Sequence, residues 1–231
     1  MQITGLPRLI EIFDARKKPS TPSMEIYLDK ENNNDRDAKV IAEKIKEVTL
    51  KEILEEIKID FANKRIEMLL DNKALKSVHV GAQKIAERLS ESGFNVKQND
   101  LKITLNASDF DFKAIYKLKE KIKETIISGI KNISQVVISS RGKDFVILTA
   151  GSNVREIIEL KGVDKNRTLS NDIYDVMQTL GIEAARQTII NEIKKVLQNQ
   201  AIDINERHLD LIADAMTSSG VVKGVTRMGI I

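Results

Sequence analysis

Arg207 and His208, adjacent in the stretch Ile202-Asp203-Ile204-Asn205-Glu206-Arg207-His208-Leu209, are the residues best suited to holding an anion. The planar guanidinium fork is able to match the oxygens of a phosphate, and His208 stands out only for its place beside it. The same polarity continues past them in Lys223, Thr226 and Arg227, with no acidic residue after Asp214. Other chemistry is scarce. The sequence has two histidines and no cysteine, so disulfides, thiolate metal sites and cysteine nucleophiles are excluded and acid–base work is severely limited. His79, between Ser77 and Gly81 in a helical pattern, reads as structural or surface. Asp109 and Asp111 lie close together, but a helix is expected directly after them, and capping by Ser108 or Asp109 accounts for them better than a metal does. No local serine–histidine–aspartate pattern, phosphate-loop glycine motif or dinucleotide fingerprint is present.

Two amphipathic helices position the Arg207-His208 pair. On the first, Ala185, Ile189, Ile193 and Val196 share one face, and on the second Leu209, Ile212, Ala213 and Met216 do so. Arg207 falls opposite that second stripe, with His208 at its flank. Asp210 and Asp214 share the Arg207 side of the helix, so a surface ion pair competes with a phosphate contact as its role. Spacing alone favours the ion pair.

The remainder reads as a domain of mixed strands and helices followed by helices. Residues 1–23 hold a helix with Pro7 near its first turn and Arg16-Lys17-Lys18 at its end, where the cations suit either the helix dipole or a phosphate contact. Residues 24–160 alternate strands and helices: a strand at Met24, Ile26 and Leu28, a helix through Val40, Ile41, Ile45 and Val48, and a hairpin over 57–69. A helix over 73–91, a strand pair over 94–106, a lysine-rich helix over 111–130 and strands at 136–138 and 145–148 follow. The lysines of that helix interleave with Glu120 and Glu124, as on a solvated face. Ser152 is the expected cap of the next helix, and 161–231 is expected to be helical. The fold class is therefore α+β, with an all-helical segment after it. Aromatic residues make up 4% of the chain, so the cores must be aliphatic, and a formal net charge of +3 confines any nucleic-acid contact to a local patch. No apolar run approaches the roughly 20 residues that span a bilayer, and the expected setting is cytoplasmic.

Three ordered segments carry a family resemblance. Gly181-Ile182-Glu183-Ala184-Ala185-Arg186, then Ile202-Asp203 through Arg207-His208 to Leu211-Ile212-Ala213-Asp214 and Met216-Thr217, with the tail Val225-Thr226-Arg227, form one. Gly5-Leu6-Pro7-Arg8-Leu9-Ile10-Glu11 with Asp14-Ala15-Arg16-Lys17-Lys18-Pro19-Ser20-Thr21-Pro22 form another, and Gly162-Val163-Asp164-Lys165-Asn166-Arg167-Thr168 with Asn171-Asp172-Ile173 the third. Together they resemble the largest subunit of multi-subunit DNA-directed RNA polymerases, in the archaeal form whose C-terminal half is a separate polypeptide. The resemblance implies a lead-in helix after the trigger loop at 1–23, a jaw-like α+β domain at 24–160 and a helical cleft and switch region at 161–231. It implies that Arg207, His208, Lys223 and Arg227 face the template-strand backbone, which favours the phosphate reading of Arg207. Met228 stands where relatives often carry histidine, so that position receives no role.

No magnesium site is implied here. The family's metal motif needs three aspartates and a glycine, whereas Asp109-Phe110-Asp111-Phe112 offers two aspartates and Phe112 at the glycine's place. Magnesium is expected in the partner half of the subunit, and this chain alone is expected to be inactive. The implied partners are that N-terminal half, the second-largest subunit, small assembly subunits, the DNA template and the downstream duplex, with no membrane. The alternative is a free-standing helix-turn-helix nucleic-acid-binding or adaptor module.

Overall fold

Pro7 occupies the first turn of α1 (Leu6–Phe13), where its missing N–H breaks no helical bond. The computed structural model describes residues 5–29, 34–60, 65–71, 74–75, 81–91, 95–99, 102–106, 112–142, 144–226 and 229. α1 ends in a tight reversal: the Ala15 amide bonds the Ile12 carbonyl at 3.0 Å and the Arg16 amide bonds Glu11 at 3.3 Å. Ala15 takes a left-handed φ of 47°, a place usually given to glycine, and its buried methyl joins the helical core.

Along the chain follow β1 (Ser23–Tyr27), α2 (Asp35–Ile45), β2 (Val48–Thr49), α3 (Leu50–Ile53), β3 (Leu54–Asp60) and β4 (Arg65–Leu70). Then come α4 (Ala82–Glu91), β5 (Asn95–Asn99), β6 (Lys102–Asn106), α5 (Phe112–Lys123) and β7 (Ile126–Ser128). The last group is β8 (Gln135–Arg141), β9 (Asp144–Ala150), α6 (Val154–Glu159), β10 (Leu169–Ser170), α7 (Ile173–Leu180), α8 (Ile182–Asn199) and α9 (Glu206–Thr217). The architecture is a mixed region containing sheets followed by a helical C-terminal segment, the α+β class expected from the sequence.

Several details depart from the sequence reading. Val48 belongs to β2 rather than to the preceding helix. The lysine-rich helix stops at Lys123, because Thr125, Ile126 and Ile127 are β-branched and β7 pairs with β2 there. Asn153, not Ser152, caps α6, accepting the Glu156 amide at 3.3 Å. The Ser152 hydroxyl instead donates to Asp175 at 2.7 Å.

Contacts divide the chain into two units, Met1–Ile45 with Asn132–Ile231, and Lys46–Lys131. In the first, β1 is central to an antiparallel sheet of order β10-β1-β9-β8. Met24 and Ile26 point to one buried face, and β1 pairs with β9 from Ser23↔Ala150 to Tyr27↔Val146. Gly151, at φ 122°, admits the neighbouring chain so closely that a Cβ would stand 1.8 Å from the Asn132 carbonyl oxygen. The helical part has its own core, in which Ile12 of α1, Ile173 of α7, Ile189 and Ile193 of α8 and Leu209 and Met216 of α9 meet. Each such side chain contributes about 1.5–3 kcal/mol by leaving water.

The second unit is an antiparallel sheet of order β3-β4-β6-β5. The expected hairpin is present, with Ile57↔Met68 and Ile59↔Ile66 in register. Ile66, Met68, Ile103 and Leu105 form a core with Ile85 and Leu89 of α4 and Ile115 and Ile122 of α5. Its two ends lie together: Val48 pairs with Ser128, and a Cβ on Gly129 would stand 1.9 Å from the Lys46 carbonyl oxygen.

Candidate nucleic-acid interface

The buried stripe of α9 decides where Arg207 points. Leu209, Ala213 and Met216 are buried against α8, whose Ala185, Ile189, Ile193 and Val196 are buried in turn. Arg207 lies on the far side of α9 and is exposed, as is His208. The Asn205 side chain caps the helix by accepting the Arg207 amide at 3.1 Å, which places both residues in the first turn. There the positive end of the helix dipole adds to the charge of Arg207. Glu206 occupies the same turn, but its carboxylate is bonded by Lys194 of α8.

The acidic partners considered for Arg207 are held by another residue. Arg186 of α8 reaches Asp210 at 3.6 Å and bonds Asp214 directly. The Arg186 hydrogen bond holds the Asp214 carboxyl below its usual range, and the same bond raises Arg186. Arg207 therefore makes no ion pair among the described residues, and its guanidinium is available to solvent or a ligand.

Lys223 is also exposed, at the opposite end of α9, where its amide bonds the Met216 carbonyl at 2.9 Å. At a rise of about 1.5 Å per residue, Arg207 and Met216 stand about 14 Å apart along the helix. The structure thus brings Arg207 and His208 together and sets Lys223 apart from them. Arg227 lies outside the described residues, as do His79, Asp109 and Asp111. Among the described residues no group of three or more histidine, aspartate or glutamate side chains is placed to hold a metal ion, and no helix is long and apolar enough to cross a membrane. On α5, Lys123 bonds Glu120 at 2.9 Å, and Lys117 and Lys121 are exposed.

The other two segments of the resemblance are structural in their contacts. Arg8, buried in α1, donates to Glu192 at 2.8 Å, to Glu11 at 3.2 Å and to the Asn171 carbonyl at 2.9 Å. Glu11 also accepts from the Ser20 hydroxyl. Burial works to raise the Glu11 carboxyl, but the bonds from Ser20 and Arg8 hold it below its usual value. Sequence reasoning missed this cluster; its signal was Arg8 and Glu11 one turn apart on the same helix as buried Ile12.

Asn171 clasps the start of β1, donating to the Thr21 carbonyl and accepting the Ser23 amide, each at 2.8 Å. Asp172 caps α7 by accepting the amides of Tyr174 and Asp175 at 3.1 Å. Its carboxyl is pushed up by burial and by the nearby Asp175 charge, against those backbone bonds. Arg167 stacks over Tyr27, 4.6 Å from the ring centre, and pairs with Asp144 at 2.6 Å. A cleft of about 280 Å³ lies beside Glu25, Arg141, Asn171, Asn191 and Lys195. Burial favours the neutral form of Glu25, but bonds from Arg141 at 2.6 Å and Lys195 at 3.2 Å outweigh it and hold the carboxyl below its usual range.

Comparison with known proteins adds what geometry does not supply. The family model described as RNA polymerase Rpb1, domain 5, matches residues 1–231. The chain is 39% identical over 228 residues to DNA-directed RNA polymerase subunit Rpo1C of Methanocaldococcus jannaschii, covering 98% of this chain and 26% of the relative. It is 38% identical over 233 residues to the subunit of the same name from Pyrobaculum aerophilum, covering 98% of this chain and 62% of that relative. The chain thus spans less than two thirds of either.

Proposed function

We propose a function that proceeds from membership: the chain belongs to the family of RNA polymerase Rpb1, domain 5, in its archaeal type. It works as part of the largest subunit of a DNA-directed RNA polymerase, forming jaw and cleft surfaces that hold downstream DNA and the template strand. The assembly transfers nucleotidyl groups to RNA in the cytoplasm. This chain positions; it does not make the bond. Its residues do not fit the magnesium site, since Asp109-Phe110-Asp111-Phe112 lacks the third aspartate and the glycine. That site belongs to the N-terminal half of the subunit, which with the second-largest subunit and small assembly subunits makes up the partners.

The observation that carries the reading is the presentation of Arg207 and His208. They stand exposed in the first turn of α9, while Asp210 and Asp214 are taken by Arg186. Such a contact fixes the position of a strand and reads no bases. The helix-turn-helix alternative is not favoured, because residues 200–205 between α8 and α9 exceed the usual turn of about 3–4 residues.

The test is copurification followed by reconstitution. A tagged chain should travel with a much larger polypeptide carrying the aspartate motif, and alone it should incorporate no nucleotide. In the reconstituted polymerase, Arg207→Gln should weaken template retention by about ten- to hundredfold, the worth of one charge-assisted contact. Nucleotide incorporation by the isolated chain, or full template retention by the variant, would overturn the reading.

A further inference from the structure

We propose that the cleft beside Glu25 binds a small zwitterion of the amino-acid class, a molecule carrying one carboxylate and one ammonium group. The inference does not depend on the DNA reading, since it uses no residue of α9.

The cleft, about 280 Å³, lies between the sheet and α8, where Thr188, Asn191, Glu192 and Lys195 recur at steps of three, one and three and so share one face. Met24 and Ile26 of β1 are buried on one side of the sheet, which puts Glu25 on the other. The volume falls just below the usual range of about 300–1,000 Å³ for drug-sized ligands, so a smaller molecule fits. Much of the polar wall is already used. Asn171 holds Thr21 and Ser23, the Thr188 hydroxyl donates to the Ala184 carbonyl at 2.8 Å, and the Ser170 hydroxyl accepts the Asp172 amide at 3.1 Å. Other groups keep open capacity. Arg141 gives Nη1 to Glu25 and bonds the Tyr27 side chain, which leaves further guanidinium donors, and Lys195 gives Glu25 one of its three. Asn191 accepts from Gln187 through Oδ1, so its Nδ2 is open. Glu192 takes both bonds from Arg8, at 2.8 and 3.3 Å, on Oε2, and its Oε1 has no partner among the described residues.

These open groups are of opposite sign. Arg141 and Lys195 share the single carboxylate of Glu25, which leaves one positive charge over, and both cations are about half exposed, at 49% and 51%. Arg8 is divided between Glu192 and Glu11, so Glu192 is incompletely neutralised. Glu192 and Lys195 stand about 4.5 Å apart along α8, yet Lys195 reaches to Glu25 instead. A ligand carboxylate between Arg141 and Lys195 repeats the bond they already make with Glu25. An ammonium group on the same molecule meets Glu192 Oε1. A simple anion satisfies only the first demand, and a simple amine only the second.

The experiment is a calorimetric titration of the whole chain with γ-aminobutyrate, whose charges sit a few bonds apart, with butyrate and butylammonium as single-charge controls at matched ionic strength. Amide chemical shifts locate the effect, and circular dichroism melts confirm folding. The zwitterion should bind at least about tenfold more tightly than either control, the worth of one further charge-assisted contact, with shifts at Glu25, Arg141 and Asn191. Lys195→Gln should weaken γ-aminobutyrate and butyrate by at least about tenfold and spare butylammonium. Glu192→Gln should weaken γ-aminobutyrate and butylammonium and spare butyrate; if it fails to fold for want of its pair with Arg8, the split between the controls in Lys195→Gln decides. Equal affinity for the three probes, shifts confined to other residues, or no binding by the unaltered chain overturns the site. In the reconstituted polymerase the response should persist. Its loss there, with retention in the isolated chain, would mark the cleft as covered by a partner subunit and overturn the small-ligand assignment.

Discussion

Replacing Arg8 by methionine should destabilise the fold by about 3–4 kcal/mol at neutral pH, in the lower part of the range for breaking a buried ion pair. The Arg8 side chain is 7% exposed, and its partners Glu11 and Glu192 are 5% and 15% exposed. Methionine keeps much of the apolar stem but leaves two carboxylates without their shared cation. Ser20 and the more distant Arg16, at 4.0 Å, still serve Glu11, which places the loss in that lower part. Urea unfolding followed by far-ultraviolet circular dichroism measures it. With a slope of about 1–3 kcal/mol per molar urea, the midpoint should fall by at least about 1 M. The pH dependence is more specific. In the native protein Glu11 is held below its usual value, so its contribution is complete above the unfolded carboxyl pKa of about 4.3 and lost as pH falls through the folded value. In the variant the burial of Glu11 is no longer opposed by Arg8, its folded pKa rises, and acid stabilises the variant relative to the native protein. The gap between them should therefore close as pH falls. A variant within about 1 kcal/mol of the native protein at neutral pH, or a gap constant through the acid range, would refute the assignment of Arg8 as the counter-charge.

Three other outcomes are expected. Arg186→Met should change stability by about 0.2–1 kcal/mol, since its pairs are exposed, yet release Asp210 and Asp214 to Arg207 and lower the salt slope of DNA binding by up to about 1; adding Asp210→Asn and Asp214→Asn should restore the slope in the same titration. Asp172→Asn should match or slightly exceed the native protein at neutral pH, while Asp172→Ala loses about 1 kcal/mol of capping in thermal melts. Because burial raises the Asp172 carboxyl, the native protein gains stability from it as pH falls through its folded pKa, and Asp172→Asn should abolish that gain. Asn171→Ala should cost about 2 kcal/mol, leaving the Thr21 carbonyl and Ser23 amide unpaired, and should speed hydrogen exchange at Ser23.

Periodicity made the helices around Ile189 and Met216 legible, along with the 57–69 hairpin, because one buried face repeats at a fixed interval. It also gave the outward aim of Arg207. It did not reveal that Arg186, on the preceding helix, would take the aspartates one and two turns beyond Arg207. That outcome depends on how two helices cross. The Arg8–Glu192 pair joins residues far apart in sequence, and no local pattern announces it. β10 is two residues long and too short to alternate. The helix expected to reach residue 130 ended early because β-branched residues found a partner strand in β2, a tertiary preference that overrides local propensity. Ser152 and Asn153 are both competent caps, and the choice turned on Asp175 drawing the serine hydroxyl away.

The adjacency of the two ends of Lys46–Lys131 bears on the order of assembly during synthesis. The surrounding unit must join Ile45 to Asn132 across that whole stretch, and closing so long an unfolded loop costs about 2–3 kcal/mol more than closing a short one. Once β2 and β7 have zipped together, the intervening segment behaves as a short bridge and most of that penalty disappears. Early collapse of Lys46–Lys131 would in this way ease the pairing of β1 with β9, two strands that lie on either side of it in sequence.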